Sequence, residues 1–240
     1  DALIIKNATE KELQKLEIYE KGYIYLQSLS SMVPPLVLNP KKGEKVLDLT
    51  AAPGSKTTQM AALMENEGYI LANELDKIRS ERLQYNVKSQ GVEIVEVING
   101  RGEKIGNSYT EYFDKVLLDT PCSGEGRFLL GKPMTYKDWS LKKVNQLAKI
   151  QKKLFESAYN ATKKNGIMVY STCTINKEEN EYILDWAINT FNIKLLDINL
   201  DIKEAIKGDN TGLNNAIDKA IKILPSKNME GFFVAKIMKN

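Results

Sequence analysis

Phe113-Asp-Lys-Val-Leu-Leu-Asp-Thr-Pro-Cys-Ser-Gly124 is the stretch from which the rest of the chain can be ordered. Val116, Leu117 and Leu118 follow one another without polar alternation, as in a strand buried on both faces of a parallel sheet. Pro121 has no N–H for a strand ladder, so the strand stops before it. Asp119 and Cys122 then stand at the carboxyl end of the strand, where open α/β sheets bind ligands. The arrangement recurs in Gly166-Ile-Met-Val-Tyr-Ser-Thr-Cys-Thr174, a second apolar strand that ends at Cys173, the only other cysteine.

Around these two strands the chain alternates strand and helix. The predicted strands are 45–50, 69–74, 93–98, 114–119, 166–171, 193–198 and 230–238. The helices between them cover 55–66, 77–90, 140–164 and 176–191. Ahead of the first strand the pattern predicts a helix over 8–20 and a helix-and-turn segment over 25–40 ended by its prolines. Residues 201–223 are polar and read as a helical insertion. The alternation argues a doubly wound, mostly parallel α/β sheet, with the last strand entering antiparallel.

A chain of 240 residues with 42% apolar content can form one large domain. No apolar run is long enough for a membrane span, and none has the form of a leader, so the expected compartment is the cytoplasm and the thiols are expected reduced. The chain opens at Asp1 rather than Met, which leaves room for an N-terminal module ahead of residues 1–21, and residues 22–240 read as the main domain. The complete absence of histidine excludes Ser-His-Asp and Cys-His catalysis. Two cysteines cannot close a zinc site, and no metal is expected. The net charge of +3 does not by itself indicate nucleic acid. Residues 132–164, however, hold nine lysines against Asp138 and Glu156, a local excess of seven. That run is either the solvated face of a helix or a backbone-phosphate contact beside a nucleic-acid site.

Asp48-Leu-Thr-Ala-Ala-Pro-Gly-Ser-Lys56 joins the first strand to a helix. It is not a phosphate-binding P-loop, because Ser55 separates Gly54 from Lys56 and no glycine stands upstream in register. Glu74 closes the second strand 20 residues after Gly54, where a ribose-binding carboxylate belongs in a nucleoside-cofactor site. For Cys122 and Cys173 three readings stand: buried apolar thiols, a disulfide, or a nucleophilic pair. If the two strands are neighbours at ~4.8 Å, both thiols reach one planar substrate, and their place beyond the strand ends favours the nucleophilic pair. Glu178-Glu-Asn-Glu181, at a predicted helix start, complements the helix macrodipole.

Thr50-Ala-Ala-Pro-Gly-Ser-Lys56, Asp119-Thr-Pro-Cys-Ser-Gly124 and Ser171-Thr-Cys-Thr174 with Glu178-Glu-Asn180 together resemble the motifs of the Sun/Nop (NSUN) family of RNA cytosine-carbon-5 methyltransferases. Gln27-Ser-Leu-Ser-Ser-Met32 and Glu230-Gly-Phe-Phe-Val-Ala235 extend the likeness over about residues 22–238. The resemblance implies a Rossmann-like class I methyltransferase fold with a seven-stranded sheet. It implies S-adenosyl-L-methionine as cofactor and RNA (tRNA or rRNA) as partner; the sequence leaves the oligomeric state open, with a monomer as the default. By the same likeness Thr50, Ala51, Ala52, Pro53, Gly54, Ser55 and Lys56 would wrap the methionine end of the cofactor, Glu74 would hold the ribose, and Asp119 would lie between cofactor and base. Cys173 would be the nucleophile, Cys122 would assist product release, and the Lys56 cation would favour a thiolate. Three features depart from the family pattern: Asn99-Gly-Arg-Gly102 stands where an acidic residue near the adenine is usual, Thr50 stands where many relatives have cysteine, and the family's RNA-selecting appendages are not evident in the first 20 residues. Two other functions fit the fold, a DNA cytosine methyltransferase with Cys122 as nucleophile and a non-catalytic RNA-binding factor.

Overall fold

The computed structural model describes residues 2–240. Its centre is a sheet of nine strands: β1 (Lys45–Asp48), β2 (Tyr69–Glu74), β3 (Val95–Asn99), β4 (Phe113–Asp119), β5 (Thr162–Thr172), β6 (Ile193–Leu196), β7 (Ala205–Lys207), β8 (Ile221–Ile223) and β9 (Phe232–Lys239). The first five run parallel in the order β3-β2-β1-β4-β5, and β9 enters antiparallel beside β5. Val46, Leu47, Leu117, Val169 and Val234 are wholly buried in the sheet interior, as the unalternated apolar runs require.

Seven strands were expected and nine are present. The additional pair is β7 and β8, in the 201–223 segment read as helical. That segment has no apolar period of 3.6. Gly208 and Gly212 interrupt it, and Ile221-Lys-Ile223 alternates as a strand does. β8 pairs with Phe232–Val234 of β9 while β6 pairs with Lys236–Lys239, so the two share one edge of the last strand and leave less of it exposed.

Eight helices cover the sheet or precede it. α1 (Glu10–Leu13) and α2 (Glu17–Glu20) replace the single helix expected over 8–20, and neither buries a residue. With no apolar stripe to dock, two short helical turns have little beyond the Thr9–Glu12 capping box to hold them. α3 (Leu29–Leu38) carries Pro34 and Pro35 inside it rather than ending at them; the helix stops at Asn39, which takes a left-handed conformation. Each proline costs a backbone hydrogen bond. Burial of both rings with Val33, Val37 and Leu38 beside β4, β5 and β9 offsets that loss.

α4 (Ser55–Leu63) and α5 (Lys77–Ser89) connect β1 to β2 and β2 to β3, and the one-turn helix α6 (Ile105–Ser108) precedes β4. α7 (Leu141–Ala161) is capped by the Ser140 hydroxyl and buries Val144, Gln151, Leu154, Phe155 and Ala158 on one face. α8 (Glu181–Thr190) is shorter than expected, because residues 176–180 turn back toward the cysteines before the helix begins. Among the described residues no helix is long and apolar enough to cross a membrane.

Candidate active site

The carboxyl ends of β1, β2, β4 and β5 surround a cavity of about 790 Å3. Its floor begins at the turn after β1. Gly54, at φ +107°, turns the chain into α4, and a Cβ there would meet the Leu83 side chain at 2.9 Å. Neighbouring groups pin the turn from outside. Ala51 N–H donates to the Asn73 carbonyl at 2.8 Å, Arg79 donates to the Ala52 carbonyl at 2.8 Å, and Asn86 donates to the Pro53 carbonyl at 2.8 Å. Thr50 Oγ1 donates to the Asp119 carbonyl at 2.7 Å, which ties the β1 turn to the end of β4.

Thr50, Ala51, Ala52, Pro53, Ser55, Lys56, Glu74, Asp119, Cys122 and Cys173 all line this one cavity. Gly54 is absent from its wall and serves the turn. The register Asp119↔Ser171 between β4 and β5 sets the two cysteine segments side by side, and Cys122 Sγ lies 3.3 Å from Cys173 Sγ as a pair of free thiols.

Lys56, in the first turn of α4, places Nζ 2.7 Å from Asp119 Oδ2 and 2.8 Å from Ser31 Oγ. Ser171 Oγ donates to the other Asp119 oxygen at 2.8 Å. The two thiols are unequal. Cys173 sits below the usual thiol range, first because Cys122 hydrogen-bonds to it and then because the Arg127 and Lys56 cations favour its anion. Cys122 is pushed well up by the hydrogen bond to Cys173, by burial and by the anions of Cys173, Asp119 and Glu179. Either sulfur can donate in that contact, and the surroundings favour the anion on Cys173 over the anion on Cys122. At the cavity floor, burial pushes the Asp48 carboxyl up to about 7, against the lowering effect of the Thr57 hydroxyl at 2.7 Å.

The motifs do not reveal the support behind Cys122. Glu179 accepts from Ser123 N–H at 3.0 Å and from Gln151 Nε2 at 2.9 Å, and Gln151 Nε2 also donates to the Pro121 carbonyl at 2.9 Å. The Glu178–Glu181 run thus holds the Cys122 loop through Glu179, which precedes α8 rather than lying in its first turn. Ser31, from the 27–32 segment, and Asp76, Arg79 and Glu103, which belong to no motif, also line the cavity. Asn99, itself exposed, donates from Nδ2 to the Glu74 and Leu75 carbonyls at 2.7 and 2.9 Å, and Arg101 is exposed and lies 3.4 Å from Glu103.

A 3-2-1-4-5 parallel sheet with an antiparallel strand beside β5, and a carboxylate-rich cavity at its strand ends, define a Rossmann-like methyltransferase. Residues 35–238 match the family model described as 16S rRNA methyltransferase RsmB/F. The chain belongs to that family, within the Sun/Nop group of RNA methyltransferases.

It is 41% identical over 226 residues to the tRNA (cytosine(49)-C(5))-methyltransferase of Pyrococcus abyssi, covering 92% of this chain and 72% of that protein. It is 39% identical over 221 residues to ribosomal RNA small subunit methyltransferase F of Escherichia coli, covering 91% of this chain and 45% of that protein. The crystal structure of NSun6 from Pyrococcus horikoshii with SFG superposes at a TM-score of 0.82 and 34% identity, over 94% of this chain and 56% of that one. The chain therefore spans most of the tRNA enzyme but about half of the other two.

Proposed function

We propose that this protein methylates carbon 5 of cytosine in tRNA or rRNA, with Cys173 as the attacking thiolate and Cys122 as the residue that releases the product. The observation that carries the reading is the 3.3 Å pair of thiols beside Lys56 and Asp119 in one cavity. The relatives named for tRNA and rRNA methylation support the substrate class. Residues 22–240 would form the catalytic domain and 1–21 a lead-in to it.

The wall suits S-adenosylmethionine. Six carboxyl side chains line the cavity (Asp48, Glu74, Asp76, Glu103, Asp119 and Glu230) against the cations Lys56, Arg79 and Arg127, a balance that favours a ligand bearing a sulfonium and an ammonium. α4 has no side-chain cap, so the N–H groups of its first turn are free to bind the ligand's carboxylate. Glu74 would hold the ribose hydroxyls. When bound, the cofactor supplies the methyl group that carbon 5 takes.

The chain's own residues do the rest. Carbon 5 of cytosine is a poor nucleophile, so Cys173 Sγ bonds to carbon 6 and the displaced electron pair makes the ring an enamine, with nitrogen 3 taking a proton from solvent and donating it in a hydrogen bond to the Asp119 carboxylate. In the adduct Cys173 carries no negative charge and no longer competes as a strong acceptor. Two of the causes that hold Cys122 up, the hydrogen bond to Cys173 and the Cys173 anion, are then removed, which makes that thiol more acidic than before attack while burial, Asp119 and Glu179 still oppose its ionisation. The Cys122 thiolate takes the carbon-5 proton, the carbon 6–Sγ bond breaks, the 5,6 double bond returns, nitrogen 3 gives its proton back to solvent, and Cys173 leaves as thiolate. The alternative order, with Cys122 attacking, requires the less acidic thiol to ionise first.

Cys122→Ala protein incubated with S-adenosylmethionine and unmodified tRNA or small-subunit rRNA transcripts is expected to give a covalent protein–RNA band on a denaturing gel. The double variant lacking Cys173 as well should give none. Full methylation by Cys173→Ala would overturn the assignment.

A further inference from the structure

The segment Phe128–Ser140, directly after Arg127 on the cavity wall, is exposed along almost its whole length. It displays apolar side chains to solvent: Leu130 is 91% exposed and Met134 72%, with Leu129 and Leu141 also exposed. Isolated apolar side chains at a surface need no explanation, but a cluster beside a catalytic cavity does. The segment is built, not slack. Lys132 N–H donates to the Leu129 carbonyl at 2.7 Å, closing a four-residue turn with Leu130 at its corner, and the space beside Gly131 is open. Leu129 N–H donates to Thr135 Oγ1 at 3.0 Å, and the Phe128 and Tyr136 rings pack at 5.7 Å beneath the turn.

A single carboxylate connects this platform to the chemistry. Glu125 Oε1 accepts from Trp139 Nε1 at 2.8 Å and from Asn176 Nδ2 at 2.9 Å, while Gly126 N–H donates to the Cys173 carbonyl at 3.1 Å. Three residues of chain limit the Leu130 Cα to about 11 Å from that of Arg127. Around the turn the exposed charges are mostly positive: Lys132, Lys137, Lys142 and Lys143 against Asp138. On α7, Lys143 and Lys153 share the helix face of Ile150, which lines the cavity.

We infer that this platform is where the RNA strand around the target cytosine docks, its phosphates on the lysines and Leu130 inserted into the stack that the cytosine leaves. The inference rests on the reading of the cavity as a cytosine methylation site. A base inside a helix must be swung out before its carbon 5 can be reached, and apolar wedges hold open the step it vacates. The turn presents its leucine with no protein neighbour, as a wedge requires, and the cations around it fit a polyanion rather than an apolar protein face.

Leu130→Ala and Leu130→Met separate the possibilities, because the side chain packs on nothing and both proteins should fold. The substrates are unmodified tRNA and small-subunit rRNA transcripts, with tritiated S-adenosylmethionine. On a folded transcript that the wild type methylates, Leu130→Ala should lower kcat/KM about tenfold with less than about a twofold change in RNA retention on filters. Leu130→Met should stay near wild type. On an unstructured oligoribonucleotide spanning the same cytosine the penalty should vanish, because no stack needs opening. Wild-type kinetics for Leu130→Ala on the folded transcript would overturn the inference and assign the surface to a protein partner. An equal loss on both RNAs would overturn it in favour of a role in shaping the cavity. Wild-type protein that methylates none of the transcripts would overturn the functional reading itself, and this inference with it.

Discussion

Lys56→Met and Asp119→Asn test the electrostatic centre of the site. The two groups meet at 2.7 Å, with side chains 11% and 23% exposed. At an effective dielectric of ~20 that separation corresponds to about 6 kcal/mol of attraction, much of it cancelled by desolvation of the two ions. Removing one partner strands the other. For a buried pair that costs about 3–5 kcal/mol, and the partial exposure of Asp119 and its hydrogen bond from Ser171 put Lys56→Met at the lower end, about 3 kcal/mol. Asp119→Asn should cost about 2 kcal/mol, since Ser31 still accepts from the ammonium. The double variant, which strands no charge, should cost no more than the worse single variant, giving a coupling of about 2 kcal/mol. Urea unfolding of the four proteins measures it. Cys173 supplies a second reading: loss of Lys56 alone should slow its alkylation by iodoacetamide at neutral pH, because the thiolate fraction falls as the thiol pKa rises, and the double variant should recover part of the rate because an opposing anion has gone too. Strictly additive stabilities, or an alkylation rate indifferent to Lys56, would refute the reasoning.

Two further substitutions probe the scaffold. Asp48 is wholly buried with its carboxyl raised to about 7, so between about pH 4 and 7 the folded protein holds a proton that the unfolded chain has released, and stability should fall as pH rises through that window. Asp48→Asn keeps an acceptor for Thr57 and removes the titration; its stability relative to wild type should rise by a few kcal/mol from pH 4.5 to 8, about 1.4 kcal/mol for each pH unit crossed below the raised pKa, and a constant difference would count against the burial argument. Gly126→Ala would put a Cβ 1.9 Å from the Gly231 carbonyl oxygen, in a close approach that also holds the 2.8 Å bond from Gly231 N–H to Gly126 O. Backbone faces backbone there, so a loss of at least about 2 kcal/mol in urea unfolding is expected, and an unchanged midpoint would show that the two loops separate freely.

The sheet was legible where burial dictates composition. Val116-Leu-Leu118 and Met168-Val-Tyr170 can only be interior strands, and the cysteine that follows each of them marks the site within the sequence itself. Local pattern failed where tertiary packing overrides it. Pro34 and Pro35 read as a helix end, yet the interior they fill keeps α3 intact. Residues 201–223 carry no strong period of either kind, and their strands form because the outer edge of β9 is available to pair with. The cavity wall shows the same division. Lys56, Glu74 and Asp119 lie at element boundaries that the spacing predicts, whereas Glu179 and Gln151 reach the Cys122 loop through a contact between distant segments that no local motif encodes.

That contact bears on the proposed mechanism, in which a chain without histidine divides one reaction between two identical side chains. The thiols differ only through their surroundings. Asp119 opposes the anion of both; Cys173 alone has the Arg127 and Lys56 cations beside it, and Cys122 alone has Glu179. Glu179 does two things at once: its oxygens take the Ser123 N–H and fix the loop, and its charge opposes early ionisation of Cys122. Gln151, itself wholly buried in α7, ties that carboxylate to the Pro121 carbonyl, so the helix whose outer face carries the lysines also anchors the Cys122 loop. A site of this kind needs no group with a natural pKa near 7. It needs two thiols close enough that bonding one to substrate changes the acidity of the other, and the 3.3 Å separation across β4 and β5 supplies that proximity.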